Sequence, residues 1–368
     1  MNTTQTLTRP VLIMAGGTGG HVFPALALAR LLRSGSQPVV WLGTRRGLEA
    51  RVVPAEGIAI EWLSIGGLRG KSVLTLLLAP LRLTLALWQA LRIMWRLRPA
   101  VVVGLGGFVT GPGGLAAWLC RRPLLIHEQN AVAGFTNRCL ARFADEVLTA
   151  FPGAFASDVA VRQIGNPVRL DISGMPGPAL RWAHRVDTLR VLVVGGSLGA
   201  MRLNTTVAPA LALLQREGFV CQVRHQAGER GLAAAQAAYA AAGLAAEVTA
   251  FVDDMAGAYA WADVVICRAG ALTVSELAAA GLPAVLVPYP HAVDDHQTRN
   301  AQVLVDAGAA LCIADAQLDA PRLAAALQQL GLDRVSLLLR AERARALARP
   351  DAAAQLLARC LAHVAEAA

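Results

Sequence analysis

Apolar residues alternate between two textures along the first half of the chain. Short unbroken runs at 11–15, 38–42, 58–63, 100–104, 124–128 and 146–149 have the length and β-branched content of buried strands. Between them the apolar positions recur at helical spacing, which predicts strand and helix in strict alternation and hence a parallel sheet. The period fails over 171–187, where Gly174, Pro176, Gly177 and Pro178 interrupt it, so this stretch reads as an interdomain linker. The alternation then restarts at 191–194, followed by a helical run over 201–214. Further strands are expected near 264–267 and 284–287. Two Rossmann-like α/β halves facing each other across a cleft are the predicted architecture.

The punctuation between these elements carries the candidate chemistry. After the first strand comes Gly16-Gly17-Thr18-Gly19-Gly20-His21, and Pro24 marks the start of a helix. Glycines leave backbone N–H groups uncovered, and the helix aims its positive dipole end at the same point, so the turn suits an anion or a sugar hydroxyl. Its spacing is neither a dinucleotide fingerprint nor a Walker loop. His21 is the one titratable group at this helix mouth. A second glycine turn, 104–114, follows the strand 100–104 and is expected to lead into a helix at 115–120. His127-Glu128-Gln129-Asn130 then places four polar groups at a strand's carboxyl end, the edge along which open α/β sheets bind ligands.

The second half repeats the theme. Gly195-Gly196-Ser197-Leu198-Gly199 follows a strand, and Cys267-Arg268-Ala269-Gly270 leads into Ala271-Leu272-Thr273-Val274-Ser275-Glu276 at a helix start. A diphosphate can rest on backbone N–H groups there without a metal. The Glu276 carboxylate suits a ribose diol, or it caps its own helix. Gln297 and Asn300 are candidates for sugar hydroxyls. His291, Asp294, Asp295 and His296 are spaced like metal ligands, yet no further ligand cluster at a strand end accompanies them, so no metal and no cofactor is expected.

Residues 72–98 are leucine-rich almost all round a helical axis, but Pro80, Arg82 and Arg92 interrupt them. A span needs about 20 apolar residues, and a central arginine costs about 2.5 to 3.5 kcal/mol. The expectation is a crossover helix whose outer face touches an anionic membrane surface, with Arg82, Arg92, Arg96 and Arg98 at head-group level.

Composition narrows the class further. The 368 residues, 55% hydrophobic and 16% charged, are too many for one typical domain. A formal charge of +9, almost all of it arginine, points to an anionic partner. With only 5% aromatics the chain lacks a base-stacking platform, so nucleic acid is not the expected partner. Six scattered cysteines form neither a zinc pattern nor a disulfide framework, and 1–10 lacks the apolar core of a signal peptide; a reducing cytoplasm is expected.

Taken together, Gly16–His21, the turn at 106–113, His127–Asn130, Gly165-Asn166-Pro167-Val168-Arg169, the turn at 195–200, the run 267–276 and Asp295-His296-Gln297 closely resemble the MurG family, in the same order over nearly the whole chain. The resemblance implies a glycosyltransferase B-type fold, with an acceptor domain at 1–166, a donor domain at 167–350 and a last helix, 351–368, packing back on the first domain. It implies transfer of N-acetylglucosamine from UDP-N-acetylglucosamine to undecaprenyl-pyrophosphoryl-N-acetylmuramoyl-pentapeptide at the cytoplasmic face of the inner membrane. The implied donor contacts are Thr18, Gly19, Gly20, Asn130, Arg169, Ser197, Val252, Ala271, Leu272, Thr273, Val274, Ser275, Glu276 and Gln297. His21, or alternatively Glu128, is the implied base. Phe108 and Leu198 stand where many relatives carry tyrosine and glutamine. A UDP-N-acetylglucosamine epimerase of the same fold and a basic binding protein are the alternatives.

Overall fold

The structure is a computed structural model that describes residues 9–66, 79–185, 188–196, 200–331 and 333–366. The chain forms two compact units. One runs to Pro167 and resumes at Asp351; the other is Val168–Pro350.

In the first unit, β1 (Val11–Met14), β2 (Val39–Gly43), β3 (Ala59–Trp62), β4 (Val101–Gly104), β5 (Leu124–Glu128), β6 (Glu146–Thr149) and β7 (Arg162–Gln163) form one sheet in the order β3-β2-β1-β4-β5-β6-β7. Every pairing is parallel; Met14, for example, stands opposite Leu42 on one side and Gly104 on the other. Helices α1 (Gly19–Ser34), α2 (Glu49–Ala55), α3 (Ala79–Leu97), α4 (Thr110–Leu119) and α5 (Phe135–Leu140) connect the strands. Alternate residues of β1 point into two apolar layers. Val11 and Ile13 pack with Val22, Leu26 and Trp41, whereas Leu12 and Met14 pack with Ala90, Met94 and Ala116.

The second unit has a six-stranded parallel sheet, β10-β9-β8-β11-β12-β13, built from β8 (Leu189–Val194), β9 (Cys221–Gln226), β10 (Glu247–Thr249), β11 (Val264–Cys267), β12 (Ala284–Leu286) and β13 (Ala310–Cys312). Its helices are α6 (Leu170–Ser173), α7 (Pro178–Trp182), α8 (Met201–Arg216), α9 (Leu232–Ala241), α10 (Met255–Trp261), α11 (Ala271–Ala280), α12 (His296–Asp306), α13 (Ala320–Leu330) and α14 (Arg334–Ala346). The last helix, α15 (Ala352–Glu366), belongs to the first unit, where Leu356 and Cys360 are buried in the layer of Val11 and Ile13.

Two expectations change. Helix α4 begins at Thr110, five residues ahead of the expected start. Gly113 and Gly114 are therefore packing glycines within a helix: a Cβ at Gly113 would lie 2.3 Å from Met14 Sδ, and one at Gly114 would lie 2.8 Å from a Leu140 methyl. The described part of 171–187 is not a linker. Helix α7 starts on Pro178, buries Trp182, and is held by Arg181, which donates to the Pro176 and Gly281 carbonyls. One-turn helices carry no period, which is why the stretch looked structureless. Of the leucine-rich stretch, 72–78 lies outside the described residues. The remainder, α3, buries Ala79, Ala86, Ala90, Ile93 and Met94 and exposes Leu81, Leu83, Leu85, Trp88 and Trp95. No helix among the described residues is long and apolar enough to cross a membrane.

Candidate active site

In both sheets the strand order reverses at one point, next to β1 and β4 in the first unit and next to β8 and β11 in the second. Loops leaving the carboxyl ends of strands at such a switch point frame a crevice. All the glycine turns singled out in the sequence leave these four strands.

In the first unit the turn after β1 and the turn after β4 interlock. Gly16 donates to the Gly106 carbonyl, and Gly107, at φ +88°, lies so close that a Cβ would sit 2.4 Å from the Gly16 oxygen. Only glycine permits both that φ and that approach. Gly106, at φ +107°, packs close to the His21 ring, where a Cβ would be 2.5 Å from Nδ1. Thr18 precedes α1 without capping it, and Gly19 and Gly20 form its first turn, half-buried.

Buried carboxylates hold this edge. Glu49, fully buried, accepts from Gly17 N at 2.9 Å, Thr44 N at 2.9 Å and Thr44 Oγ1 at 2.8 Å, and so fixes the first turn. Glu128 accepts four hydrogen bonds: Asn130 N at 2.9 Å and Nδ2 at 3.1 Å on one oxygen, Gly134 N at 3.1 Å and Asn137 Nδ2 at 2.9 Å on the other. Its lone pairs are engaged in bracing the loop after β5, and Asn130 is one of the groups braced. His127 is buried and donates from Nε2 to the Gly165 carbonyl at 2.9 Å; burial pushes its pKa below the usual histidine value, which keeps it neutral. His21 differs. It is half-buried, its Nδ1 lies 3.1 Å from Gln129 Oε1, and its Nε2 makes no hydrogen bond to the described residues.

In the second unit the site gathers around Glu276, on the second turn of α11. The N-cap of this helix is Gly270, which has no side chain to cap it. The Glu276 carboxylate turns inward: Tyr259, wholly buried on α10, donates its hydroxyl to Oε2 at 3.1 Å, and Arg169 Nη2 lies 3.8 Å from Oε1. Burial outweighs both partners and pushes the Glu276 carboxyl up to about 7. Ala271, Leu272, Thr273, Val274 and Ser275 form the helix start around it, and Val252 lies in the loop ahead of α10. Gln297, in the first turn of α12, accepts on Oε1 from Ala269 N at 3.2 Å and Tyr289 N at 2.9 Å, tying the loops after β11 and β12 together. Arg268 adds a second tie through Asp315 and the Val287 and Pro288 carbonyls. Asn300 is fully buried and donates to the Ala269 carbonyl, so it braces the loop and is withdrawn as a surface contact for sugar hydroxyls. Gly196 is held by Gln226 on β9; Ser197 lies outside the described residues.

Glu49 and Tyr259 are edge residues that pattern alone does not mark. A glutamate in a first helical turn reads as a dipole charge, and Tyr259 reads as core.

Residues 11–149 match the glycosyltransferase family 28 N-terminal domain, and 190–356 match its C-terminal domain. The chain is 56% identical to the UDP-N-acetylglucosamine--N-acetylmuramyl-(pentapeptide) pyrophosphoryl-undecaprenol N-acetylglucosamine transferase of Marinobacter nauticus, over 97% of this chain and 98% of that protein. It is 57% identical to the protein of the same name from Alkalilimnicola ehrlichii, over 96% and 99%. Among solved structures it resembles Acinetobacter baumannii MurG at 41% identity and a TM-score of 0.84, covering 95% of this chain and 99% of that one. Near full-length identity of this extent, together with both domain matches, places the chain in the MurG family of glycosyltransferases.

Proposed function

We infer that this protein transfers N-acetylglucosamine from UDP-N-acetylglucosamine to undecaprenyl-pyrophosphoryl-N-acetylmuramoyl-pentapeptide, the lipid I to lipid II step of peptidoglycan synthesis. The observation that carries the reading is its likeness, over nearly the full chain, to transferases named for that reaction. The site residues fit the chemistry. In a single inverting displacement the acceptor C4 oxygen attacks the anomeric carbon, the bond from that carbon to the UDP oxygen breaks, and the proton of the C4 hydroxyl passes to a base. His21 supplies that base, because Nε2 is uncommitted whereas the Glu128 oxygens are saturated. Glu276 takes the two ribose hydroxyls as acceptor. The start of α11 and Gln297 hold the diphosphate, and the helix dipole stabilises the charge that develops on it. Arg169, Val252 and Ser197 in the second unit, and Thr18, Gly19, Gly20 and Asn130 in the first, complete the proposed donor contacts.

The protein works as a peripheral enzyme on an anionic membrane through α3. Leu81, Leu85, Trp88 and Trp95 are exposed there, and the Arg92 guanidinium lies 4.8 Å over the Trp88 ring. Apolar side chains flanked by arginine are what an interfacial helix presents to lipid, each arginine contributing about 1 kcal/mol near anionic head groups. Replacing Leu81, Leu85 and Trp88 by serine should weaken binding to phosphatidylglycerol vesicles and slow turnover of the long-chain acceptor, with donor affinity unchanged. Vesicle binding at the native level by the folded variant would remove α3 from this role.

Incubating the purified protein with labelled UDP-N-acetylglucosamine and a short-chain lipid-linked muramoyl acceptor, with and without chelator, tests the activity. Acceptor-dependent disaccharide in both samples is expected. Its absence refutes the transfer, and loss with chelator refutes a metal-free reaction.

A further inference from the structure

Gln129 was notable in the sequence only as one of four polar residues after a strand, yet its side chain is nearly inaccessible and lies between two elements of the first unit. Its Nε2 donates to the Leu105 carbonyl at 2.7 Å, and its Oε1 faces His21 Nδ1 at 3.1 Å. The first contact fixes the orientation of the amide, because a flipped amide would set its oxygen against the Leu105 oxygen. An amide oxygen only accepts, so the hydrogen between Gln129 and His21 resides on Nδ1. Leu105 is fully buried and its own N–H donates to Met14 O, so the anchor belongs to the sheet and not to a loose loop. Gly106 also crowds this side of the ring: a Cβ there would lie 2.5 Å from His21 Nδ1.

We propose that Gln129 is the positioning residue of the catalytic base: it holds His21 in the Nδ1–H tautomer, which leaves the Nε2 lone pair as the one that takes the acceptor proton. The inference rests on the reading of His21 as base and adds the group that makes it competent. A histidine in the other tautomer carries a hydrogen on Nε2 and accepts nothing there. His127, two residues away, is the internal contrast: its Nε2 donates to the Gly165 carbonyl, so it is held in the opposite tautomer and its accepting nitrogen is Nδ1.

The test reads the tautomer directly. In the full-length protein labelled with 15N-histidine, long-range 1H–15N correlation spectra report which ring nitrogen is protonated, and His21→Gln identifies the His21 signals by their loss. Wild-type His21 is expected as Nδ1–H. In Gln129→Met, which matches the length but offers no acceptor, His21 should move to Nε2–H, with kcat lowered about 10- to 100-fold, inside the usual contribution of a general base, and the KM for UDP-N-acetylglucosamine unchanged. Gln129→Glu, whose protonated carboxyl can donate to the Leu105 carbonyl and accept from Nδ1–H, should restore the tautomer and part of kcat. Wild-type His21 found as Nε2–H overturns the proposal without reference to any variant. So does a Gln129→Met protein that keeps the Nδ1–H form, or one that changes tautomer with kcat intact. A His21→Gln enzyme with wild-type kcat overturns the reading of His21 as base instead, and does so whatever tautomer the spectra report.

Discussion

The carboxyl edges of the two sheets treat a buried carboxylate in opposite ways. At the first, Glu128 accepts four hydrogen bonds and Glu49 three, all from protein groups. At the second, Glu276 has one tyrosine hydroxyl and a guanidinium too distant for a hydrogen bond, and burial pushes its carboxyl up to about 7. A saturated carboxylate is a brace, because it fixes backbone and has nothing left to offer. An under-bonded one is a socket, because its cost of burial falls only when a ligand supplies the missing donors. The edge proposed to perform the chemistry is thus assembled in advance, and the edge proposed to bind the donor is left incomplete.

The largest expected effect tests the division itself. His21→Gln should lower kcat about 10²- to 10⁴-fold and leave the Kd for UDP-N-acetylglucosamine, measured by calorimetry, where it was. Its converse, Glu276→Ala, should raise the donor KM about 10- to 100-fold with kcat largely kept, since contacts made equally in ground and transition states appear in KM. A kcat loss in the second variant equal to that in the first would erase the distinction between the two edges.

Stability gives a comparison of sign. Glu128→Gln places an amide NH₂ among four donors and should destabilise by about 1 to 3 kcal/mol at any pH above the carboxylate range. Glu276→Gln should do the reverse. In the wild type this carboxyl titrates near 7 when folded, against an ordinary value of 4.5. Below 4.5 it is protonated folded or unfolded; as pH rises toward 7 the unfolded chain ionises first and stability falls, by up to about 3 kcal/mol in all. Denaturant melts of Glu276→Gln should lack that decline and exceed the wild type at pH 8. With Glu276 in its proposed role as acceptor for the ribose hydroxyls, donor affinity should weaken in the wild type as pH falls below 7. Melts in which both substitutions destabilise equally would show that the two carboxylates are not different in kind.

The smallest effect concerns a third carboxylate. Glu146 on β6 accepts from Arg359 at 3.0 and 2.8 Å and faces His363 Nε2 at 2.9 Å, both on α15; the Arg359 hydrogen bond, more than His363, holds its pKa below the usual carboxylate range. That stabilisation is present above the ordinary carboxylate value and lost as pH falls through the lowered one. Glu146→Gln should speed amide exchange several-fold in 352–366 and leave the rest of the sheet unchanged.

Much of this was legible in the chain. Strands such as β1 and β4 are buried on both faces and so read as unbroken apolar runs, and the glycine turns mark where they end. The start of α4 was hidden because glycine signals either a turn or close packing, and only the nearness of Met14 and Leu140 decides between them. The identities of Glu276 and His21 were visible; their states were not. The about-7 titration of Glu276 comes from its burial, which outweighs Arg169 and Tyr259, and the tautomer of His21 turns on a carbonyl at Leu105, surroundings that no spacing along the sequence encodes. Glu49 left no mark, because a carboxylate folded back onto a turn and one facing water look the same as a letter.

The return of the last helix to the first unit has a consequence for biosynthesis. Leu356 and Cys360 of α15 fill the same apolar layer as Val11 and Ile13, so the first unit cannot close its core until residues translated after the whole second unit emerge. At about 5 to 20 residues per second, the whole of Val168–Pro350 must be threaded out first, a delay of roughly 10 to 40 s. Throughout that interval the layer of Val11 and Ile13 lacks the Leu356 and Cys360 side chains that complete it.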